Sequence, residues 1–308
     1  MHTLLARLSR YLWPLAVANL LANIGIVVTG GAVRLTGSGL GCPTWPRCTD
    51  ESYVAHGELG LHGAIEFGNR LLTFVLVAIA LLCFLAALGA RHRRATQLSL
   101  VIGLGIPLQA VIGGITVLTD LNPWIVAGHF LLSMAMIMVC VALLDELRSP
   151  DRAAAPRLPR RLAWATLASG WVALYLGTVV TGAGPHAGDT DSPRNGLDPA
   201  TVSQAHAISV YVLVALTVAL LVVAVRGGHQ WLARVTGLVL LVEVLQGTLG
   251  WVQYWLDLPV ALVAQHMLGA GLRAAGLARL GLAVLPHAST NEAEADAGTQ
   301  PHAATHLG

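Results

Sequence analysis

The chain has 308 residues, 55% of them hydrophobic and only 11% charged, and its mean hydropathy is +0.68. Water-soluble domains carry about 25% charged residues, so this balance excludes both a soluble globular protein and a disordered chain. All 18 basic residues are arginine and the net charge is +2, too small and dispersed for a nucleic-acid surface. No nucleic-acid partner is expected; the expected surroundings are lipid.

Stretches of roughly 20 apolar residues, enough to cross about 30 Å of hydrocarbon, recur along the chain. They predict membrane spans over 12–33, 62–88, 97–118, 124–146, 162–182, 200–225, 235–256 and 260–285. The first run is too long for a cleavable signal and is expected to be retained. The predicted class is an all-α membrane protein with eight transmembrane helices.

Positive residues in short loops stay on the cytoplasmic side. Arg7 and Arg10 precede the first span, Arg91, Arg93 and Arg94 follow the second, and Arg148, Arg152, Arg157, Arg160 and Arg161 separate the fourth from the fifth. Arg226 and Arg234 flank the next such loop, while the alternate loops hold only Arg34, Arg47 and Arg194. Both termini are thus expected in the cytoplasm of a multi-pass cell-membrane protein, with loops 34–61, 119–123, 183–199 and 257–259 outside.

An internal repeat divides the chain. The segment from Gln109 to His129 aligns without gaps on Gln246 to His266, 137 residues later, so that Gly113 falls on Gly250, Asp120 on Asp257 and Leu121 on Leu258. GIVVTG at 25–30 likewise resembles GTVVTG at 177–182. The expected architecture is two pseudo-symmetric four-helix bundles in parallel orientation, over 1–147 and 162–285. A cytoplasmic linker at 148–161 joins them, and a disordered cytoplasmic tail follows at 286–308.

Four of the 12 histidines, His62, His129, His206 and His266, fall in the outer portions of spans, where a polar ring needs a partner. His2, His56, His92, His186, His229, His287, His302 and His306 lie in loops or tails and read as solvated. His206 and His266 stand at matching depth, about six residues inside their spans. Two buried histidines bonded to backbone or hydroxyl groups would explain each alone, but equal depth favours a facing pair suited to the iron of a six-coordinate haem.

Carrying His206 back by 137 residues lands on Asn69, so His129 lacks the partner that its copy has. Glu66 lies about one turn from Asn69, four residues before Arg70, and His62 a further turn outward. Two readings stand: a Glu66–Arg70 ion pair at a helix entrance, or a pocket for a reacting group. Gln109 and Gln246 read as hydrogen-bonding bridges between helices, and Glu243 with Arg273 as a structural ion pair.

The run GGAVRLTGSGLGCPTWPRC at 30–48, the IEFGNR around Glu66 and the histidines of spans 4, 6 and 8 resemble the haem A synthase family over roughly residues 12–285. The resemblance implies an oxidoreductase that converts the C8 methyl group of haem O to the formyl group of haem A for cytochrome oxidase assembly. It implies haem b as cofactor on His206 and His266 in the second half, and a haem O substrate site in the first. There Glu66 would be the catalytic carboxylate and His129 the ligand of the substrate iron, with Asn69, His62 and Arg70 around it. Asn69 departs from the family's Glu-x-x-His-Arg pattern, which leaves a five-coordinate substrate iron or a substitute ligand at His62. Expected partners are haem O synthase and cytochrome oxidase assembly factors, and a homo-oligomer is compatible with the sequence.

Cys42 and Cys48 fall in an expected outer loop, where disulfides persist. Two prolines between them favour a turn that brings the thiols together, and a zinc site with His56 would be a poor ligand set. A disulfide is expected; in the family such a pair leaves structural and redox roles both open. Cys83 and Cys140 read as packing residues. The competing functional classes are a membrane cytochrome b that only passes electrons and a quinone-coupled thiol oxidase.

Overall fold

The computed structural model describes residues 2–287. It is all-helical apart from one isolated backbone bridge. After a short helix α1 (His2–Leu8) and a 3₁₀ turn, the long helices are α2 (Leu12–Leu35), α3 (Gly60–Gly89), α4 (Arg93–Leu118), α5 (Pro123–Arg148), α6 (Arg157–Ala183), α7 (Pro199–Arg226), α8 (Gln230–Trp255) and α9 (Val260–Ala283). Among the described residues, eight segments are long and apolar enough to cross a membrane, making this a multi-pass membrane protein.

Several helices outrun their predicted spans at the arginine-rich end, α4 beginning at Arg93 rather than 97 and α6 at Arg157 rather than 162. Hydropathy stops where charge begins, but the helix does not, because arginine is a good helix former whose stem can lie along apolar surface while its head reaches water. Pro159 falls in the first turn of α6, where a missing N–H is harmless. Asn122 and Asp198 cap α5 and α7 by accepting from Trp124 N–H and Thr201 N–H, each followed by a proline at the first helical position. The Thr201 hydroxyl and N–H hold the Asp198 carboxyl below its ordinary range.

Helices α2 to α5 close a four-membered ring in which α2 touches α3 and α5, and α4 touches the same two; α6 to α9 close a second ring in the same way. The rings meet through α2, α5, α6 and α9. Small residues let the backbones approach: a side chain at Gly170 would strike Leu277, and one at Gly105 would strike Met136.

The two ends of the molecule are sealed differently. At the arginine-rich end, Asp145 of α5 bonds Arg279 of α9, Ser149 and Arg152, the last at 2.8 Å. Arg152 also donates to the carbonyls of Leu282 and Leu285, and its backbone pairs with His287. The expected tail otherwise lies outside the described residues, as do His302 and His306.

At the opposite end, Gly39 N–H donates to Gly188 O, Arg34 Nη2 donates to Thr181 O at 2.7 Å, and the His186 ring bonds Leu258 O at 2.9 Å. His186, expected to be solvated, is half-buried because the connection between α8 and α9 presents a free carbonyl to it. His92 is likewise used, its Nδ1 accepting from Ala95 N–H at the start of α4.

The α4–α5 and α8–α9 connections share one conformation. Leu121 N–H reaches back to Thr116 O and Leu258 N–H to Gln253 O, both at 2.8 Å, closing α4 and α8 with the same end motif. Asp120 and Leu121, and their copies Asp257 and Leu258, all adopt positive φ between 51° and 59°. Leu121 accepts this left-handed conformation with its side chain lodged against Gly39 and Gly188.

Candidate functional site

The predicted site residues gather in the half of each ring nearer the disulfide. His206 and His266 stand on α7 and α9, helices that face each other diagonally across the second ring, and His266 lies within electrostatic reach of His206. His129 and Asn69 occupy the corresponding diagonal, α5 and α3, in the first ring. Nδ1 of His129, of His206 and of His266 is buried with no hydrogen-bond partner.

Each of these imidazoles faces a glycine on the neighbouring helix. A β-carbon at Gly113 or Gly177 would come within 3.3 Å of the His129 or His206 ring, and one at Gly250 within 3.6 Å of His266. Glycine at these places leaves width beside the ring that any other residue would narrow. Among the described residues no three or more His, Cys, Asp or Glu cluster to hold a bare metal ion. A porphyrin iron, by contrast, needs only one or two axial groups from the protein, and imidazoles of this kind fit that need.

Asn69 is taken up by α2: its Oδ1 accepts from the Thr29 hydroxyl at 2.8 Å and its Nδ2 lies beside Gly30. His62 is exposed, and its Nδ1 bonds the Ser38 hydroxyl at 2.9 Å. The sequence left a five-coordinate substrate iron or a substitute ligand at His62, and Asn69 and His62 each have a structural partner. Gln109 bridges α4 and α5 as expected, donating to Ser133 Oγ at 2.8 Å.

Glu66 is 5% exposed and both of its oxygens are engaged. Oε2 accepts from the Cys42 N–H at 2.7 Å, and Oε1 accepts from Arg70 Nε at 3.1 Å and Nη2 at 2.5 Å. Arg70 in turn donates to the carbonyls of Cys42, Thr44 and Arg47. The ion pair and the pocket reading are therefore not rivals, since the pair itself clamps the cysteine loop over the mouth of the first ring. Sequence reasoning missed this clamp, for its acceptors are backbone carbonyls and leave no trace in residue identity.

Cys42 and Cys48 form a disulfide, both fully buried. Their loop lies directly on α3, where a β-carbon at Gly41 would collide with the backbone of His62 and Gly63, and Trp45 packs flat on Gly114 of α4. Both thiols should resist maleimide in oxidised membranes and label only after reductant is added. Labelling of both without reduction would count against the bridge. Cys83 and Cys140 are free and buried in the first ring's core.

One expected contact does not form. Glu243 and Arg273 are buried but make no direct ion pair: Glu243 Oε1 accepts from Thr217, and Glu243 Oε2 and Arg273 Nε are unpartnered. Equal depth from the sequence placed the two residues in one layer, but Thr217 of α7 takes one carboxylate oxygen instead.

Fold and site together define a polytopic helical membrane protein with imidazoles whose Nδ1 is buried and unpartnered inside two four-helix rings. A family model described as cytochrome oxidase assembly protein, COX15-CtaA, matches residues 13–59 and 61–190, and the chain belongs to that family. His206 and His266 lie beyond the matched range. A heme A synthase from Bradyrhizobium sp. strain ORS 278 is 28% identical over 83% of this chain and 85% of its own length. Heme A synthases from Bradyrhizobium sp. strain BTAi1 and Geobacillus thermodenitrificans are 30% and 32% identical over 56% and 42% of this chain, and 56% and 41% of their own lengths.

Proposed function

We propose that this protein is a haem A synthase, an oxidoreductase that converts the C8 methyl group of haem O to the formyl group of haem A for cytochrome oxidase assembly. The observation that carries the reading is the set of three half-buried imidazoles, each with a buried, unpartnered Nδ1 and a facing glycine, inside a chain of this family. His206 and His266 would hold haem b, which supplies one-electron transfer when bound. His129 would ligate the substrate iron.

The two sites differ in a way that suits their tasks. Two histidines saturate an iron and favour retention, whereas a substrate that must enter and leave benefits from a single protein ligand. Asn69 is occupied by Thr29 and His62 by Ser38, which supports His129 as that single ligand. Glu66 places a carboxylate near the first site, where low dielectric strengthens its hold on positive charge developing at the methyl carbon. Arg70 and the Cys42 N–H fix its position. The arginine distribution supports cytoplasmic termini, with the disulfide loop outside.

The test is an optical spectrum of the purified protein, acid extraction of its pigments, and incubation with haem O. Haem b together with haem O or A, and conversion of added haem O, are expected. Haem b alone would mean an electron-passing cytochrome, and no haem would favour a thiol oxidase.

A further inference from the structure

Seven residues along α9 from His266, on the same helix face and about 10 Å inward, stands Arg273. Helical side chains lean toward the helix N-terminus, here toward His266. Arg273 is 6% exposed, interacts electrostatically with His206 and His266 and, at longer range, with Glu243, and has no carboxylate within ion-pair distance among the described residues. Its neighbours in this layer are Glu243 of α8 and Thr217 of α7, bonded to each other at 3.1 Å.

The 137-residue correspondence gives this layer its meaning. Thr217, Glu243 and Arg273 fall on Ala80, Ile106 and Met136 of the first half, all buried members of one apolar cluster. A layer that packs as hydrocarbon under the first site is thus polar under the second, where it carries a buried cation with no direct counter-ion. Packing does not require the charge, because the apolar version fills the same positions in the same chain. A charge placed there at the cost of desolvation calls for a task that the first site lacks.

Resting on the reading of His206 and His266 as haem ligands, we propose that Arg273 is a positioning residue for electron transfer, raising the reduction potential of the second-half haem. A fixed positive charge favours the ferrous over the ferric state, since reduction lowers the positive charge at the iron. At ~10 Å and an effective dielectric of about 20, a unit charge alters the ratio of the two states by roughly tenfold. The second-half haem is thereby poised to take electrons, while the substrate site, with Met136 in the equivalent place, is not.

The experiment is a redox titration of the purified protein, read on the low-spin bis-imidazole bands. Absence of those bands from the unaltered protein would refute the ligand assignment itself, a failure distinct from that of the present proposal. Arg273→Gln and Arg273→Met, the latter copying the first half, should keep the bands and lower the midpoint by about 59 mV, equivalent to tenfold for a one-electron couple. Arg273→Lys should stay near the original potential. Unchanged midpoints in both neutral variants, or an equal fall in Arg273→Lys, would overturn the proposal. Loss of haem from both neutral variants while Arg273→Lys retains it would overturn it as well, making Arg273 a requirement for binding.

Discussion

Glu66→Gln is expected to lower haem A formation by roughly 10²–10³-fold, the usual effect of removing one preorganised electrostatic group from a reacting centre. Haem O should still bind, since His129 is untouched, and the second-half haem should be unaffected. The clamp complicates the substitution in a calculable way. Both Glu66 oxygens accept hydrogen bonds, whereas glutamine offers only one oxygen, so its amide must turn an N–H toward either Arg70 or the Cys42 N–H. Removing one member of a buried ion pair costs about 3–5 kcal/mol, and the lower end applies because the Arg70 side chain is 21% exposed.

Arg70→Gln separates the two roles. It keeps the carboxylate but loses the donors to Cys42, Thr44 and Arg47, so it should speed reduction of the disulfide more than it lowers haem A formation. Glu66→Gln should show the opposite balance. If both variants lost activity in proportion to disulfide exposure, Glu66 would be only an anchor for the loop. A normal rate of haem A formation in Glu66→Gln would end the charge-stabilisation role.

Replacing either His206 or His266 with alanine is expected to abolish the low-spin bis-imidazole spectrum entirely. A six-coordinate iron needs both rings, and the neighbouring glycines, Gly177 and Gly250, have no side chain to supply a substitute ligand. Membrane insertion should be unchanged, because it is set by the apolar length of α7 and α9. The spectrum, the haem content and the amount of protein in the membrane are measured together. Persistence of the spectrum in both variants would reject the ligand pair.

By itself, the sequence determined the features that depend on composition and local order. Eight apolar stretches of spanning length make eight membrane helices whatever their packing, because a backbone in lipid must satisfy its own hydrogen bonds. The 137-residue repeat was legible, and the structure matches it with α4 and α8 of 26 residues each, ending in the same left-handed turn. The Cys42–Cys48 bridge was legible from two cysteines in a short, proline-containing loop.

Tertiary structure decided what depends on atoms far apart in the chain. The Glu66–Arg70 pair was visible as a spacing of four, but its hold on the Cys42, Thr44 and Arg47 carbonyls was not, since every residue type carries the same carbonyl. Glu243 and Arg273 showed equal depth and opposite charge. Only the packed helices decided that Thr217 would reach the carboxylate and that the guanidinium would feel Glu243 only at a distance, with no direct ion pair, because depth along a helix axis says nothing of which neighbour lies within hydrogen-bond reach across it.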